Sequence, residues 1–484
     1  MKRVLIANRG EIAVRIIRTL KKLGVHTIAI YSEIDKNSKH TKIANESYCL
    51  GEYNCYLDID KIIETAKKAK ADAIHPGYGF LSENYMFAKA CQDNNIVWIG
   101  PQPEVIQKLG DKNLARQIAQ ETNTPIPPGK NILPEEPLES IERFATEIGF
   151  PIMIKATKGG GGKGIRVVQS PNQLFEAIQA AKREALEAFK DDSIYIEKFF
   201  TNPRHIEVQI FGDLYGNIIH LNLRECSIQR RHQKLIEEAP ALDKELQEKI
   251  SQAAINIAKK VGYQNAGTVE FIFKDNQFYF LEVNTRLQVE HTVTEMITDL
   301  DLVELQYDVA CGKSLPQEIT FNGHAIECRI IAEDPENNFL PVSGKIELFE
   351  YPENTRIDTY IEEGTEITPY YDSLLCKVIT KGKNRQEAIQ NMIFALKNIN
   401  ILPIKTNKNF LIDVLQSKQF QQGEIHTNFI PEHFQNWKEK YYNILDEKII
   451  STIFEKYKNY IIYSENKRSQ NITHKDQQLP MWRP

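Results

Sequence analysis

The stretch Phe150-Pro-Ile-Met-Ile-Lys155-Ala-Thr-Lys158-Gly159-Gly160-Gly161-Gly162-Lys163-Gly164-Ile-Arg166 decides how this chain is read. An apolar strand pattern ends in a lysine, and four glycines follow in succession. Glycine backbone can approach a polyphosphate closely and aim N–H groups at it. Lys155 would add a fixed positive charge. The spacing is neither the P-loop G-x-x-x-x-G-K-[ST] nor the dinucleotide pattern G-x-G-x-x-G. A floppy surface turn would also be glycine-rich, but here apolar runs flank the glycines and lysines bracket them.

A second stretch lies downstream: Phe280-Leu-Glu282-Val-Asn284-Thr-Arg286-Leu-Gln288-Val-Glu290-His291. In an extended chain successive side chains alternate faces. Glu282, Asn284, Arg286, Gln288 and Glu290 would then share one face. A solvated sheet face could alternate in the same way, although such faces more often carry Lys, Thr and Ser. Just upstream, Gly267-Thr-Val-Glu270-Phe-Ile-Phe273 reads as a partner strand, with Lys274–Gln277 as the turn. Glu270, Glu282 and Asn284 are hard oxygen donors of the kind that suit Mg²⁺ shared with substrate phosphates. An edge-strand charge pair is the plainer alternative. Metal binding by both carboxylates requires an odd-length loop, such as Asp275–Gln277, or a bulge; an even loop would set Glu270 opposite Leu281. A third stretch, Arg224-Glu-Cys-Ser-Ile-Gln229-Arg-Arg-His232-Gln-Lys234, is basic. It reads either as a solvated loop or as an attractor for an anionic substrate.

Working outward, the first hundred residues alternate strand and helix patterns. Val4–Ala7, Thr27–Tyr31, Ala73–His75 and Val97–Ile99 read as strands, and Glu11–Leu23 and Ile59–Lys70 as helices. That alternation predicts a mostly parallel sheet with ligands beyond the carboxyl ends of its strands, where His75–Phe80 forms a loop. Thr122–Pro137 holds five prolines and reads as a linker. A compact α/β segment follows to about Phe200, then a strand-rich one from Arg204 to about His433.

Composition fits a globular protein of about three domains: 42% of the 484 residues are hydrophobic and 26% charged. The net charge of −5 argues against a nucleic-acid grip through an overall basic field. No apolar run reaches membrane-spanning length. Seven scattered cysteines, with no C-x-x-C pair, favour a reducing compartment and argue against a structural zinc site. The expectation is a cytoplasmic protein that binds neither nucleic acid nor membrane.

The lysine–glycine motif and the Glu-Val-Asn-Thr-Arg motif together resemble the ATP-grasp superfamily. IANRGEIAVRI, HPGYGFLSEN, Gly110–Lys112, Asn202–Gln209, QRRHQK, EVNTRLQVEH and Glu327–Ile330 narrow the resemblance to biotin carboxylase, from Lys2 to about Phe434. One departure is Lys158, where the family usually has a small residue. The resemblance implies an α/β fold with a Rossmann-like N-terminal parallel sheet, a mobile glycine-rich lid and a C-terminal α+β domain. The segments would be 1–121, 122–203, 204–434 and a helical and polar tail, 435–484.

Roles follow residue by residue. Lys112 and Lys155 would contact ATP phosphates, and Gly159, Gly160, Gly161 and Gly162 would close over them. Glu197 and Lys198 would read adenine at the hinge. His205, Gln229 and His232 would line the ribose–phosphate side. Glu270, Glu282 and Asn284 would hold Mg²⁺ or Mn²⁺. Lys234, Arg286, Gln288 and Val289 (by its backbone) would hold bicarbonate. Glu290 would be the general base and Arg329 the cation at the biotin ureido oxygen.

Biotin carriers display a lysine after methionine on a hairpin, and the only Met-Lys pair here is Met1-Lys2. The expectation is therefore a separate carrier protein, a separate carboxyltransferase subunit and a homodimer of this chain. Rival readings are a carbamoyl-phosphate-type ligase and a non-catalytic nucleotide-binding regulator. The single motif set, the QRRHQK loop and Arg329 argue against the first, and competent side chains at every position against the second. In the tail, Ile449, Ile450, Ile453, Phe454, Tyr457 and Tyr460 repeat at helical spacing, as a packed helix or a docking arm for a partner subunit would.

Overall fold

The computed structural model describes residues 1–132, 136–156, 166–189 and 192–439. The tetraglycine, Lys158 and the tail helix expected around Ile449–Tyr460 lie outside the described residues. Met1–Trp437 forms one compact unit.

The N-terminal sheet is parallel, in the order β3-β2-β1-β4-β5, built from β1 (Arg3–Ile6), β2 (His26–Ser32), β3 (Glu46–Gly51), β4 (Ala73–His75) and β5 (Val97–Trp98). β3 has no counterpart in the sequence reading. It is an edge strand with exposed alternate residues, so Glu46-Ser-Tyr-Cys-Leu-Gly51 carries little apolar signal. α1 (Gly10–Lys22) joins β1 to β2 and is buried on most of its circumference. Ile12, Ile16 and Leu20 pack with Phe211, Leu287 and Leu302, while Val14 joins the core formed by Ile326, Tyr360 and Val378. A helix clasped by two cores is fixed in rotation, because each fully buried large aliphatic contributes about 1.5–3 kcal/mol. That fixes the Asn8–Glu11 turn at its start. The adjoining His75–Phe80 loop needs a left-handed residue at Gly77 (φ +64°), where a Cβ would meet Asn8 Nδ2 at 3.0 Å.

Four strands make the second sheet, antiparallel in the order β6-β9-β7-β8: β6 (Gly129–Ile132), β7 (Ile152–Ala156), β8 (Arg166–Val168) and β9 (Ile194–Lys198). β6 corrects the reading of Thr122–Pro137 as linker throughout. Its neighbouring prolines suggest coil, yet Gly129–Ile132 pairs along β9, whose backbone supplies the partners.

The third sheet has eight antiparallel strands in the order β14-β13-β10-β11-β12-β15-β17-β16. They are β10 (Arg204–Gly212), β11 (Ile218–Arg230), β12 (Gln233–Ala239), β13 (Asn265–Lys274), β14 (Gln277–Asn284), β15 (His324–Ile331), β16 (Arg356–Thr359) and β17 (Leu374–Gly382). The β13–β14 turn settles the register question. Asp275 and Asn276 both have positive φ, 51° and 58°, which is the two-residue turn that matches strand twist. Lys274 pairs with Gln277, so near the turn the register is that of an even loop. A bulge between Glu270 and Phe271 then restores Glu270 opposite Glu282 and Thr268 opposite Asn284. The bulge thus puts the two carboxylates on one face.

The second stretch also needs correction. β14 ends at Asn284, so Arg286, Gln288 and Glu290 do not continue an extended face. They lie in an irregular segment that leads into the helix His291–Thr298, with Glu290 as its N-cap residue. Asn276→Val should lower the thermal midpoint, because a β-branched residue in left-handed backbone costs about 1–2 kcal/mol, whereas Asn276→Gly should not. A scanning-calorimetry comparison of the two variants checks this.

Candidate active site

Strands β10 to β14 bring the acidic and basic residues of separate motifs to one place. Lys234 on β12 points its Nζ at three carboxylates: Glu207 Oε2 at 2.6 Å, Glu290 Oε1 at 2.6 Å and Glu270 Oε1 at 3.1 Å. All three acids are buried. Burial opposes the charge on Lys234, but Glu207, Glu270 and Glu290 outweigh it and raise its pKa well above the usual lysine range. Burial likewise works against ionised Glu290. Lys234, Arg329 and Arg224 nevertheless hold its carboxyl well below the usual range. Glu270 is depressed by Lys234 and His205 despite its burial.

His205 Nε2 lies 2.9 Å from Glu270 Oε2, and Glu270 raises the imidazole's pKa against the cost of burial. Asn284 Nδ2 and Gln288 Nε2 both donate to Glu270 Oε1, at 2.9 and 2.8 Å. Glu282 is different. Burial and the neighbouring Glu270 push its carboxyl pKa up, and its nearest cation is Lys112 Nζ at 3.7 Å. Two facing carboxylates, one of them raised by the other's charge, and a nearby amide form a donor set that fits a hard divalent cation.

Arg286 Nε donates to Glu83 Oε2 at 2.9 Å, and its NH2 to Asn284 Oδ1 at 2.9 Å. Arg329 NH2 lies 2.5 Å from Glu237 Oε1 and 3.0 Å from Glu290 Oε2. Arg286, Val289 and Arg329 line a cavity of about 590 Å³ together with Asn8, Arg9, Glu11, Tyr78, Phe80, Tyr360 and Tyr371. The cavity therefore lies between the N-terminal sheet and the antiparallel sheet. Arg9 is fixed there by paired bonds to Asp35, at 2.6 and 2.8 Å, with its guanidinium 3.8 Å from the Tyr371 ring centre.

The remaining expected nucleotide residues are more dispersed. Lys155 on β7 forms an ion pair with Glu197 on β9, and Arg116 NH1 donates to the other Glu197 oxygen at 2.9 Å. Lys198 Nζ donates to the carbonyls of Gly149 and Phe150, at 2.9 and 3.3 Å. Gln229 is buried on β11, directly across from Lys234. His232 is exposed in the tight turn between β11 and β12, with φ of 67°.

Sequence reasoning passed over the residues that hold this cluster in place. Arg224 is wholly buried and donates to Glu207, Gln209, Thr268, Gln288 and Thr294 at 2.5–3.0 Å. Lys377, also wholly buried, donates to Val289 O at 2.8 Å and pairs with Glu11 at 3.2 Å. Glu237 and Glu327 face each other across β12 and β15. Burial, partly offset by Arg329, pushes Glu237 up to about 8. Arg224 and Glu207 sat inside quoted motifs and are cross-strand partners, but simple alternation would put Arg224 on the face opposite Lys234; the register shifts between Glu225 and Gln229 bring them to one side. Lys377 stands among Leu375, Cys376, Val378 and Ile379, and a charge in such company is a signal for burial with a partner.

The arrangement defines a class: an enzyme that gathers anions against buried cations on a large antiparallel sheet beside a parallel one. The family models agree segment by segment. Residues 1–106 match the N-terminal domain of biotin carboxylase, 111–318 the ATP-binding domain of the carbamoyl-phosphate synthase L chain, and 327–432 the biotin carboxylase C-terminal domain. Biotin carboxylase 2 of Bacillus subtilis is 49% identical over 445 residues, 89% of this chain and 99% of that one. The mitochondrial methylcrotonoyl-CoA carboxylase subunit alpha of Rattus norvegicus is 45% identical over 92% of this chain, which spans 64% of its length. Among solved structures, biotin carboxylase from Campylobacter jejuni superposes with a TM-score of 0.83 at 44% identity, covering 89% of this chain and 99% of that one. The chain belongs to the biotin carboxylase family, with the ATP-grasp fold.

Arg224→Met should destabilise the protein by about 3–5 kcal/mol, because it strands buried polar partners and a carboxylate. Denaturant unfolding followed by tryptophan fluorescence measures it.

Proposed function

We propose that this chain carboxylates biotin on a separate carrier protein, using ATP and bicarbonate through carboxyphosphate, as the first half-reaction of a carboxylase of the acetyl-CoA or pyruvate type. The observation that carries the reading is Glu290, gripped between Lys234 and Arg329, while Arg329 and Arg286 open onto one cavity. A base, anion-binding cations and room for a small bicyclic ligand thus adjoin each other.

Bicarbonate is a poor electrophile, so its oxygen must first be activated by the γ-phosphoryl group of ATP. Lys234, Arg286, Gln288 and the Val289 backbone hold the bicarbonate in this reading. Glu290 takes its proton as it attacks. The cations that keep Glu290 ionised also weaken it as a base. A bicarbonate that draws Lys234 to itself relaxes that hold and returns basicity to Glu290 when it is needed. Lys112 and Lys155 bind the phosphates, Glu197 and Lys198 flank the adenine, and His205, Gln229 and His232 line the ribose side. Glu270, Glu282 and Asn284 hold Mg²⁺ or Mn²⁺, which when bound neutralises charge on the transferring phosphoryl group. In this reading segment 122–203 supplies the lid, and excluding water protects carboxyphosphate. Carboxyphosphate breaks down to CO₂ and phosphate, the phosphate takes the N1′ proton of biotin, and Arg329 faces the developing charge on the ureido oxygen.

The partners in this reading are a biotinyl carrier, a carboxyltransferase subunit and a second copy of the chain. Relatives of nearly the same length that bear the name biotin carboxylase support the carrier assignment. Seven free cysteines support the cytoplasm, and no helix among the described residues is long and apolar enough to cross a membrane.

Bicarbonate-dependent ATP cleavage should rise strongly on adding free biotin; no biotin dependence would overturn the reading. Glu290→Gln should slow turnover by about 10²–10⁴-fold with ATP affinity nearly unchanged. Near-normal turnover would reduce Glu290 to an orienting group. Arg329→Lys keeps the charge but loses the planar fork, so carboxyl transfer to biotin should fall more than biotin-independent ATP cleavage. Equal loss of both activities would put Arg329 at the phosphates.

A further inference from the structure

Far along the chain from the catalytic motifs, a second group of metal-competent side chains converges. His426 ends the loop that follows the helix Lys418–Gln422, and Glu432 and His433 close the short helix Phe429–His433. Glu432 Oε2 lies 3.5 Å from His426 Nε2, and Glu432 Oε1 lies 4.0 Å from His433 Nε2. One donor atom from each of the three falls within 4.8 Å of the others.

His426 is the telling member. Its side chain is only 16% exposed, yet Nδ1 is buried without a hydrogen-bond partner and Nε2 stands too far from Glu432 for a good one. Nε2, which faces Glu432 without a good hydrogen bond, is the nitrogen placed to ligate an ion. The spacing suits an ion. Bonds of about 2.0–2.1 Å at tetrahedral angles put donor atoms about 3.4 Å apart. Shifts of about an ångström in exposed side-chain ends would bring the three donors to that separation. The two imidazole ring centres, now 6.2 Å apart, would then close to about 5 Å.

We propose that His426, Glu432 and His433 form a binding site for Zn²⁺ or a similar borderline divalent ion. Two imidazoles and a carboxylate suit that class, whereas Mg²⁺ prefers oxygen ligands. The site lies against the start of β10. Thr427 N–H donates to Pro203 O at 2.8 Å, and Asn202 Nδ2 donates to Glu432 Oε2 at 3.0 Å. An ion here would tie the C-terminal helix to the turn ahead of the strand that carries His205 and Glu207. Its role is a structural tie.

The test uses the metal-stripped full chain without nucleotide. Titration with Zn²⁺ in a calorimeter, and with Co²⁺ followed by its visible ligand-field bands, should show one site with nitrogen ligation. His426→Gln and His433→Gln should each weaken that site by about 10-fold or more. Zn²⁺ should raise the thermal midpoint of the parent chain but not of either variant. Both variants should keep biotin-dependent ATP cleavage, which shows that they are folded. Glu270→Gln should leave the site intact, which separates it from the catalytic carboxylates. No binding, or binding that survives both histidine changes, would overturn the proposal.

Discussion

A single buried ammonium organises this molecule. Lys234 sits among Glu207, Glu270 and Glu290, which come from three separate stretches of chain. Three carboxylates withdrawn from water beside each other would repel, and burial alone would push each towards its neutral form. Lys234 reverses this for Glu270 and Glu290, and Arg224 adds a second cation behind Glu207. Removing the ammonium would leave uncompensated buried charge, typically worth about 3–5 kcal/mol. The sheet register, the bulge near Glu270 and the irregular segment before Glu290 all satisfy one demand: to deliver these acids to that ammonium.

The same demand explains why the N-terminal sheet is bound so tightly to the antiparallel one. α1 carries Glu11 at its start and Arg15 one turn later. Glu11 pairs with Lys377, and Arg15 NH2 reaches Glu295 at 2.6 Å and Asp301 at 2.8 Å. Lys377 in turn fixes the Val289 carbonyl beside Glu290. A buried ion pair and a backbone hydrogen bond therefore link the first helix to the residue before the general base proposed here. Such pairs are poor sources of net stability, but they tolerate few alternative arrangements. Their value here is in fixing where Glu290 and Arg329 stand.

Much of this was legible in the sequence where the signal was local. The strands Ala73–His75 and Thr27–Tyr31 and the helices after Gly10 and Ile59 follow from apolar periodicity, and the convergence of Glu270 with Glu282 follows from strand pairing. The route was not legible. Five alternating polar residues suggested one extended strand, but β14 stops at Asn284 and the chain turns, so Gln288 and Glu290 reach Glu270 and Lys234 by folding back. Nor could spacing show β6 among its prolines, since its partner is β9, some sixty residues on. Lys377 stayed hidden for a similar reason. A charge among apolar strand residues announces burial but does not name its counter-charge, which here is Glu11 on the first helix.

One regularity bears on how such a site stays selective. Nearly every cation assigned here to phosphate, bicarbonate or biotin already has a carboxylate partner: Lys112 with Glu282, Lys155 with Glu197, Arg286 with Glu83, Arg329 with Glu237 and Glu290. A substrate anion must displace or share an existing partner, so its binding energy is a difference between two charged contacts. Isolated small anions gain little from that exchange. A ligand that engages several of these cations at once, through phosphates and a bound divalent ion, gains repeatedly from one loss of translational freedom. In the proposed reading the ion would matter doubly, because it would also offset the charge of Glu270 on Glu282 once Lys112 turns to the phosphates. In that reading, nucleotide and metal would be coupled through the protein's own ion pairs: each would make the carboxylates freed by the other less costly.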